Sequence, residues 1–173
     1  HFHVKDMARR LDAGTGSLGL DRYYVLIEGG QDHEHDDVIL DVKQQVPPEG
    51  WRLMDGAEKR AWRRAFPHEG MRHAAAFVAI AEHPDVYLGW LHLGDTVFSV
   101  RERSPYKEDF PTHKLAGAKP YRKLVRQWGR ILAREHLRGA HALNRDDPGP
   151  FARAVGACVE GRLDRCVDMV AIL

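Results

Sequence analysis

The stretch that decides the fold is Gly14-Thr15-Gly16-Ser17-Leu18-Gly19, running into Leu20–Glu28 (LDRYYVLIE) and followed by Val38-Ile39-Leu40-Asp41-Val42-Lys43. Gly14, Gly16 and Gly19 have no Cβ, so the backbone there can approach a phosphate closely. Leu20–Glu28 is rich in β-branched and aromatic residues, which predicts a strand. A dinucleotide fingerprint needs a helix at that point. The pattern therefore argues against a Rossmann site and for a hairpin with the glycine segment at its tip. Residues 4–13 read as the outgoing strand. Val38–Gln44 reads as a third strand, with Val38, Leu40 and Val42 on one face and Ile39, Asp41 and Lys43 on the other. Residues 4–44 are thus expected to form three consecutive antiparallel strands. A strand lysine next to a glycine loop can neutralise phosphate oxygens. An ordinary hairpin turn is the competing reading of the loop.

Working outward, Pro47-Pro48-Glu49-Gly50 ends the third strand. Ala57–Phe66 has helical spacing of Ala61, Trp62, Ala65 and Phe66, and Pro67 breaks it. Met71, Ala74, Ala75, Val78 and Ala81 mark a second helix that ends near His83-Pro84. Val86–Leu93 and Thr96–Arg101 read as a hairpin around Gly94-Asp95. Ser104–Pro120 is a polar connector. Tyr121 to about His141 is the longest helix, with Leu124, Val125, Trp128, Ile131 and Leu132 on one stripe. Asn144–Pro150 reads as a loop, and the rest as helix, broken near Gly161.

The chain has 173 residues, with 26 Lys+Arg against 25 Asp+Glu, so its net charge of +1 gives no electrostatic reason to expect nucleic acid or an anionic membrane as partner. No apolar run approaches the roughly 20 residues of a membrane span. Cys158 and Cys166 are eight apart in a helical pattern, about 12 Å along the axis, too far for a bridge. Free thiols fit a reducing cytoplasm. The chain opens on His1-Phe2-His3 and closes on the apolar Val170-Ala171-Ile172-Leu173, which reads as a piece of a larger protein.

Candidate chemistry gathers around Lys43. A phosphate-binding lysine of this type takes a carboxylate partner from the following helix. Glu58, on the apolar stripe of the first helix, and Glu69, opening the second, are both candidates; each also reads as a surface charge. Asp32-His33-Glu34-His35-Asp36-Asp37 has a metal-like composition but no ligand spacing on a rigid element, so no metal site is assigned. His136 and His141 have the chemistry of ligands or acid-base groups, but such histidines more often cap a helix C-terminus, which favours positive charge. A hinge offering backbone groups to an adenine falls near Arg101-Glu102-Arg103, whose side chains read as a solvated charge run.

Val4–Arg10 (VKDMARR), the GTGSLG loop, Leu40–Lys43 (LDVK), Tyr87-Leu88-Gly89-Trp90, Val100-Arg101-Glu102 and Leu132–His136 (LAREH) occur in one order. This resembles an uncharacterised bacterial domain-of-unknown-function family related to protein kinases and aminoglycoside phosphotransferases, over most of residues 4–140. The resemblance implies an α+β, protein-kinase-like fold. Residues 1–103 would be a small lobe with an antiparallel sheet and a helix. Residues 104–173 would be a connector and an incomplete helical part of the large lobe. It implies ATP and Mg²⁺ as cofactors, with Gly14, Thr15, Gly16, Ser17, Gly19 and Lys43 binding nucleotide and the phosphate acceptor unknown.

In that family the catalytic Gly-Asp-x-His-x-x-Asn loop and the metal-binding Asp precede the glycine loop. This chain contains neither that motif nor Asp-Phe-Gly. It also has Glu135 where the family has alanine, and Ala76-Phe77 where the family has Gly-Gln. Asn144–Gly149, with Asp146 and Asp147, reads as turn chemistry. Two functions stay open: an ATP-binding photsphotransferase fragment inactive alone, or a non-catalytic, pseudokinase-like module that binds nucleotide or protein.

Overall fold

Five short strands form one antiparallel sheet: β1 (Val4–Arg9), β2 (Arg22–Ile27), β3 (Val38–Gln44), β4 (Gly89–Leu93) and β5 (Thr96–Glu102). Their order across the sheet is β1-β2-β3-β5-β4, and every neighbouring pair is antiparallel. With four α-helices among the described residues, the fold is α+β. The computed structural model describes residues 3–11, 18–30, 34–106, 108, 110–143, 147, 149–160 and 162. The chain divides into two units, His1–Val78 with Glu82–Asp109, and Ala79–Ala81 with Phe110–Leu173.

The three strands expected over residues 4–44 are present, and the glycine segment connects the first two. The alternation of β3 sets the layering. Leu40 and Val42 join Ile27 and Phe98 as the buried core, with Tyr23, Val25, Val38, Tyr87, Leu91 and Val100 packed around them. β1 stops at Arg9, short of the expected residue 13. The last ladder bond there is Arg10 N–H to the Arg22 carbonyl, 2.8 Å. β1 is exposed along its length and carries a bulge between Val4 and Asp6, devices that discourage a sheet edge from pairing with another chain.

β4 starts at Gly89 rather than Val86. The Asp85 carboxylate accepts the N–H groups of Tyr87 (2.8 Å) and Glu102 (2.6 Å), so residues 85–88 turn instead of extending. Gly94, at φ 57°, makes the predicted β4–β5 turn.

Before the first helix the chain makes a 3-10 turn at Glu49–Leu53 that the sequence reading missed. Helix α1 (Gly56–Ala65) starts from a capping box: Asp55 accepts from Ala57 and Glu58 N–H, and Glu58 accepts from Asp55 N–H. Trp62 packs edge-on to Trp51 and Phe66. Helix α2 (Glu69–Ile80) meets the sheet at Gly70. A Cβ there would lie 2.7 Å from both Trp90 Cβ and Val97 Cγ2. The absent side chain is what lets α2 approach β4 and β5.

In the second unit, α3 (Ala118–Leu143) and α4 (Gly149–Glu160) account for most of the residues. Leu124 is buried, while Tyr121, Val125, Trp128, Ile131 and Leu132 stay about half exposed. α3 begins before the expected Tyr121, with Pro120 in its first turn, where a missing N–H costs little. It also runs beyond His141. His136 is therefore inside the helix, facing the Phe151 ring of α4, not at a C-terminus as expected. α4 begins at Gly149-Pro150, earlier than read. Cys158 is a free, exposed thiol on α4; Cys166 and the break expected at Gly161 lie outside the described residues. No described helix is long and apolar enough to cross a membrane.

Candidate functional site

Residues directly opposite each other in antiparallel strands share a face. The face of β3 away from the core therefore carries two rows of polar side chains. Nearest the glycine segment, Arg22 stands opposite Lys43, and Lys43 opposite Ser99. One step further, Tyr24 is opposite Asp41, and Asp41 opposite Arg101. Arg103 extends the ladder through its N–H to the Ile39 carbonyl, 2.8 Å.

Asp41 anchors this face. It is only 4% exposed, which in a mostly apolar strand demands compensation. Arg22 supplies it through two hydrogen bonds, one from Nε (2.6 Å) and one from Nη2. Arg101 adds a looser contact at 3.5 Å. Burial pushes the Asp41 carboxyl up, but the hydrogen bonds and charge of Arg22, with help from Arg101, outweigh it and hold the group below the usual carboxylate range. Sequence reasoning placed Asp41 on the Lys43 face but missed its partners. The available signal was a carboxylate within β3 that had to be buried.

Lys43 feels the same cluster. Burial, then the charges of Arg22 and Arg101, lower its pKa, and Asp41 opposes them. The two acids nominated as lysine partners each take contacts of their own. Glu58 closes the capping box of α1. Glu69 accepts from Trp62 Nε1 (3.3 Å) and from Arg72 Nε. The charge of Asp41, on the same strand, acts on Lys43. Gly19 adopts φ 73°, a left-handed conformation that suits glycine. Gly14, Thr15, Gly16 and Ser17 lie outside the described residues.

α2 brings His73 to this face. Its Nδ1 is buried without a hydrogen bond among the described residues, and its ring stacks near Phe77 at 4.7 Å. Burial, then the charges of Arg101, Arg72 and Lys43, pull its pKa down to about 4, so the ring is neutral at pH 7. Arg101 lies over the Phe77 ring (5.8 Å), and Arg103 and Arg10 lie over the Tyr24 ring (5.4 and 5.3 Å). These side chains are ordered against aromatic rings. Arg103 is nonetheless exposed and the Arg101 side chain 43% exposed, as the solvated charge run suggested by the sequence would have them.

Outside this face the candidates do simpler work. Asp37 pairs with Lys5 at 2.9 Å. Among the described residues no three His, Cys, Asp or Glu side chains converge as a metal site. Asp147 accepts from Gly149 N–H (2.8 Å) at the start of α4, as a turn residue does; Asp146 lies outside the described residues.

No curated protein and no solved structure matches the chain. A family model does, over residues 1–170. The chain thus belongs to the bacterial family described as "Uncharacterized protein conserved in bacteria (DUF2252)".

Proposed function

We propose that this chain is the nucleotide-binding part of a kinase-like phosphotransferase, with ATP as the nucleotide. The observation that carries the reading is the register that sets Lys43 opposite Arg22, three residues after Gly19. Asp21, two residues after Gly19, exchanges hydrogen bonds with Gln44: Gln44 N–H to the Asp21 carbonyl and Asp21 N–H to Gln44 Oε1, both 2.9 Å. Lys43, next to Gln44, is therefore paired with the first residue of the strand that leaves the glycine segment. In this reading Gly14, Thr15, Gly16, Ser17 and Gly19 cradle phosphates through backbone N–H groups, and Lys43 neutralises their charge. The element order, three strands, helices, a hairpin, then a long helix, agrees with a kinase small lobe leading into a large one. Cytoplasmic ATP and the free Cys158 thiol suit the same compartment.

The described residues offer no cluster of acids fit to hold Mg²⁺, and the sequence lacks Gly-Asp-x-His-x-x-Asn and Asp-Phe-Gly. The reading therefore assigns phosphate binding to this chain, and leaves the acceptor and the metal ligands unassigned. A second reading, nucleotide binding without transfer, is favoured by Asp147, which is spent on its own turn.

Calorimetry with ATP tests the proposal. Lys43→Ala should weaken binding by about 1.5–3 kcal/mol, the worth of a charged hydrogen bond. Equal affinities of the two proteins would remove Lys43 from the site. Bound ATP without turnover fits both readings, whereas turnover by this chain alone would exclude the second.

A further inference from the structure

We propose that the cleft beside Asp41, lined by Arg10, Tyr24, Arg101 and Arg103, is a binding site for an oxyanion of the phosphate class. The cleft holds about 320 Å³ and is also lined by Arg22, Asp41, Glu102 and Ser104. The inference goes beyond the nucleotide reading, because Lys43 is not among the residues that line the cleft.

The charge balance motivates it. Arg22 spends its guanidinium on Asp41 in a two-point pair. Arg101 touches the same carboxylate only at 3.5 Å and is 43% exposed along its side chain. Arg10 has the Tyr24 hydroxyl as its hydrogen-bond partner, and Arg103 has the Tyr24 ring. Strand alternation turns Glu102 toward the opposite face from Arg101 and Arg103. Three guanidiniums thus line one cleft, and the carboxylate that Arg101 touches there, Asp41, already holds the two-point pair with Arg22.

Gathering like charges costs energy that a bound anion recovers. Stacking on Tyr24 and Phe77 also fixes the planes of these side chains, so less entropy is lost when they bind a ligand. Three forks offer more donors than the two oxygens of a carboxylate can engage. A phosphate, with its additional oxygens, can meet several guanidiniums at once.

Inorganic pyrophosphate, titrated calorimetrically into the full chain at low salt, is the probe. We expect saturable binding. The Arg10→Gln/Arg103→Gln double variant should raise Kd about tenfold or more, as loss of charged hydrogen bonds predicts. Arg103→Lys keeps the charge and should recover part of the loss, which holds even if the double variant folds poorly. Lys43→Ala should change Kd less than about threefold, because only its screened, longer-range charge is lost. ATP added to the pyrophosphate complex separates the sources. Displacement in wild type and Lys43→Ala alike identifies the anion as a nucleotide's own phosphate; simultaneous binding identifies a free one. Both outcomes keep the cleft as the site. Absence of pyrophosphate binding, undiminished binding in the folded double variant, or a Lys43→Ala loss as large as the double variant's would overturn the proposal.

Discussion

Replacing Asp41 by Asn removes one charge from the most buried ion pair described in the sheet. The Asp41 side chain is 5% exposed and that of Arg22 12%. Removing one partner of a buried pair leaves the other charge uncompensated, which typically costs about 3–5 kcal/mol. Two features set the expectation at the lower end. Asn keeps an acceptor for one Arg22 hydrogen bond. Arg101, 43% exposed and 3.5 Å away, adds no more than a surface pair of about 0–1 kcal/mol. The expected loss is about 3 kcal/mol, a large share of the roughly 5–15 kcal/mol that a domain has in total.

Urea unfolding at pH 7, followed by tryptophan fluorescence and circular dichroism, measures it. The pH dependence gives a second check. The Asp41 carboxyl is held below its ordinary range in the folded state. Its contribution is therefore full above the unfolded value near 4 and disappears as pH falls through the lower folded value. The gap between wild type and Asp41→Asn should stay constant from about pH 8 to 5 and close at more acid pH. A loss under about 1 kcal/mol, or a gap that persists in acid, would refute the assignment of Asp41 as a buried, charged anchor.

Other perturbations probe neighbouring elements. Gly70→Ala forces a methyl group against Trp90 and Val97 at 2.7 Å, and should cost about 1–3 kcal/mol in urea unfolding; an unchanged midpoint would mean α2 does not pack there. His73, pulled down to about 4, resists protonation when folded. Wild-type stability should fall as pH drops from about 6.5 to 4, by about 1–2 kcal/mol after allowance for partial exposure. His73→Phe should flatten that slope, and an unaltered slope would remove His73 as its source.

How much could be read from the sequence differs between the sheet and its polar face. The period-two alternation of Val38–Gln44 contains its layering, because a strand can turn only alternate residues inward. Leu40 and Val42 are accordingly core, and Lys43 lies opposite. The glycine segment returning into LDRYYVLIE contains the first hairpin, and Gly94-Asp95 the last. Boundaries were less legible. The start of β4 depends on Asp85 bonding to Glu102, 17 residues away, and no local pattern announces that. The start of α3 was likewise underestimated, because Pro120 reads as a break although the first turn of a helix tolerates it.

The choice of partners belongs to tertiary structure. Glu58 and Glu69 were reasonable acids for Lys43 by position along the chain. The first closes a capping box, and the second accepts from Trp62 and Arg72, contacts that position along the chain does not announce. Arg22, Asp41 and Arg101 are far apart in sequence and each looks like an ordinary surface charge. Only the β2-β3-β5 register places them side by side. Sequence alone determines which residues of a strand share a face, since that follows from backbone geometry. Which strands stand next to each other, and in what register, depends on burying a common core. That burial turned three separate charges into one cluster and set an arginine cleft beside Asp41.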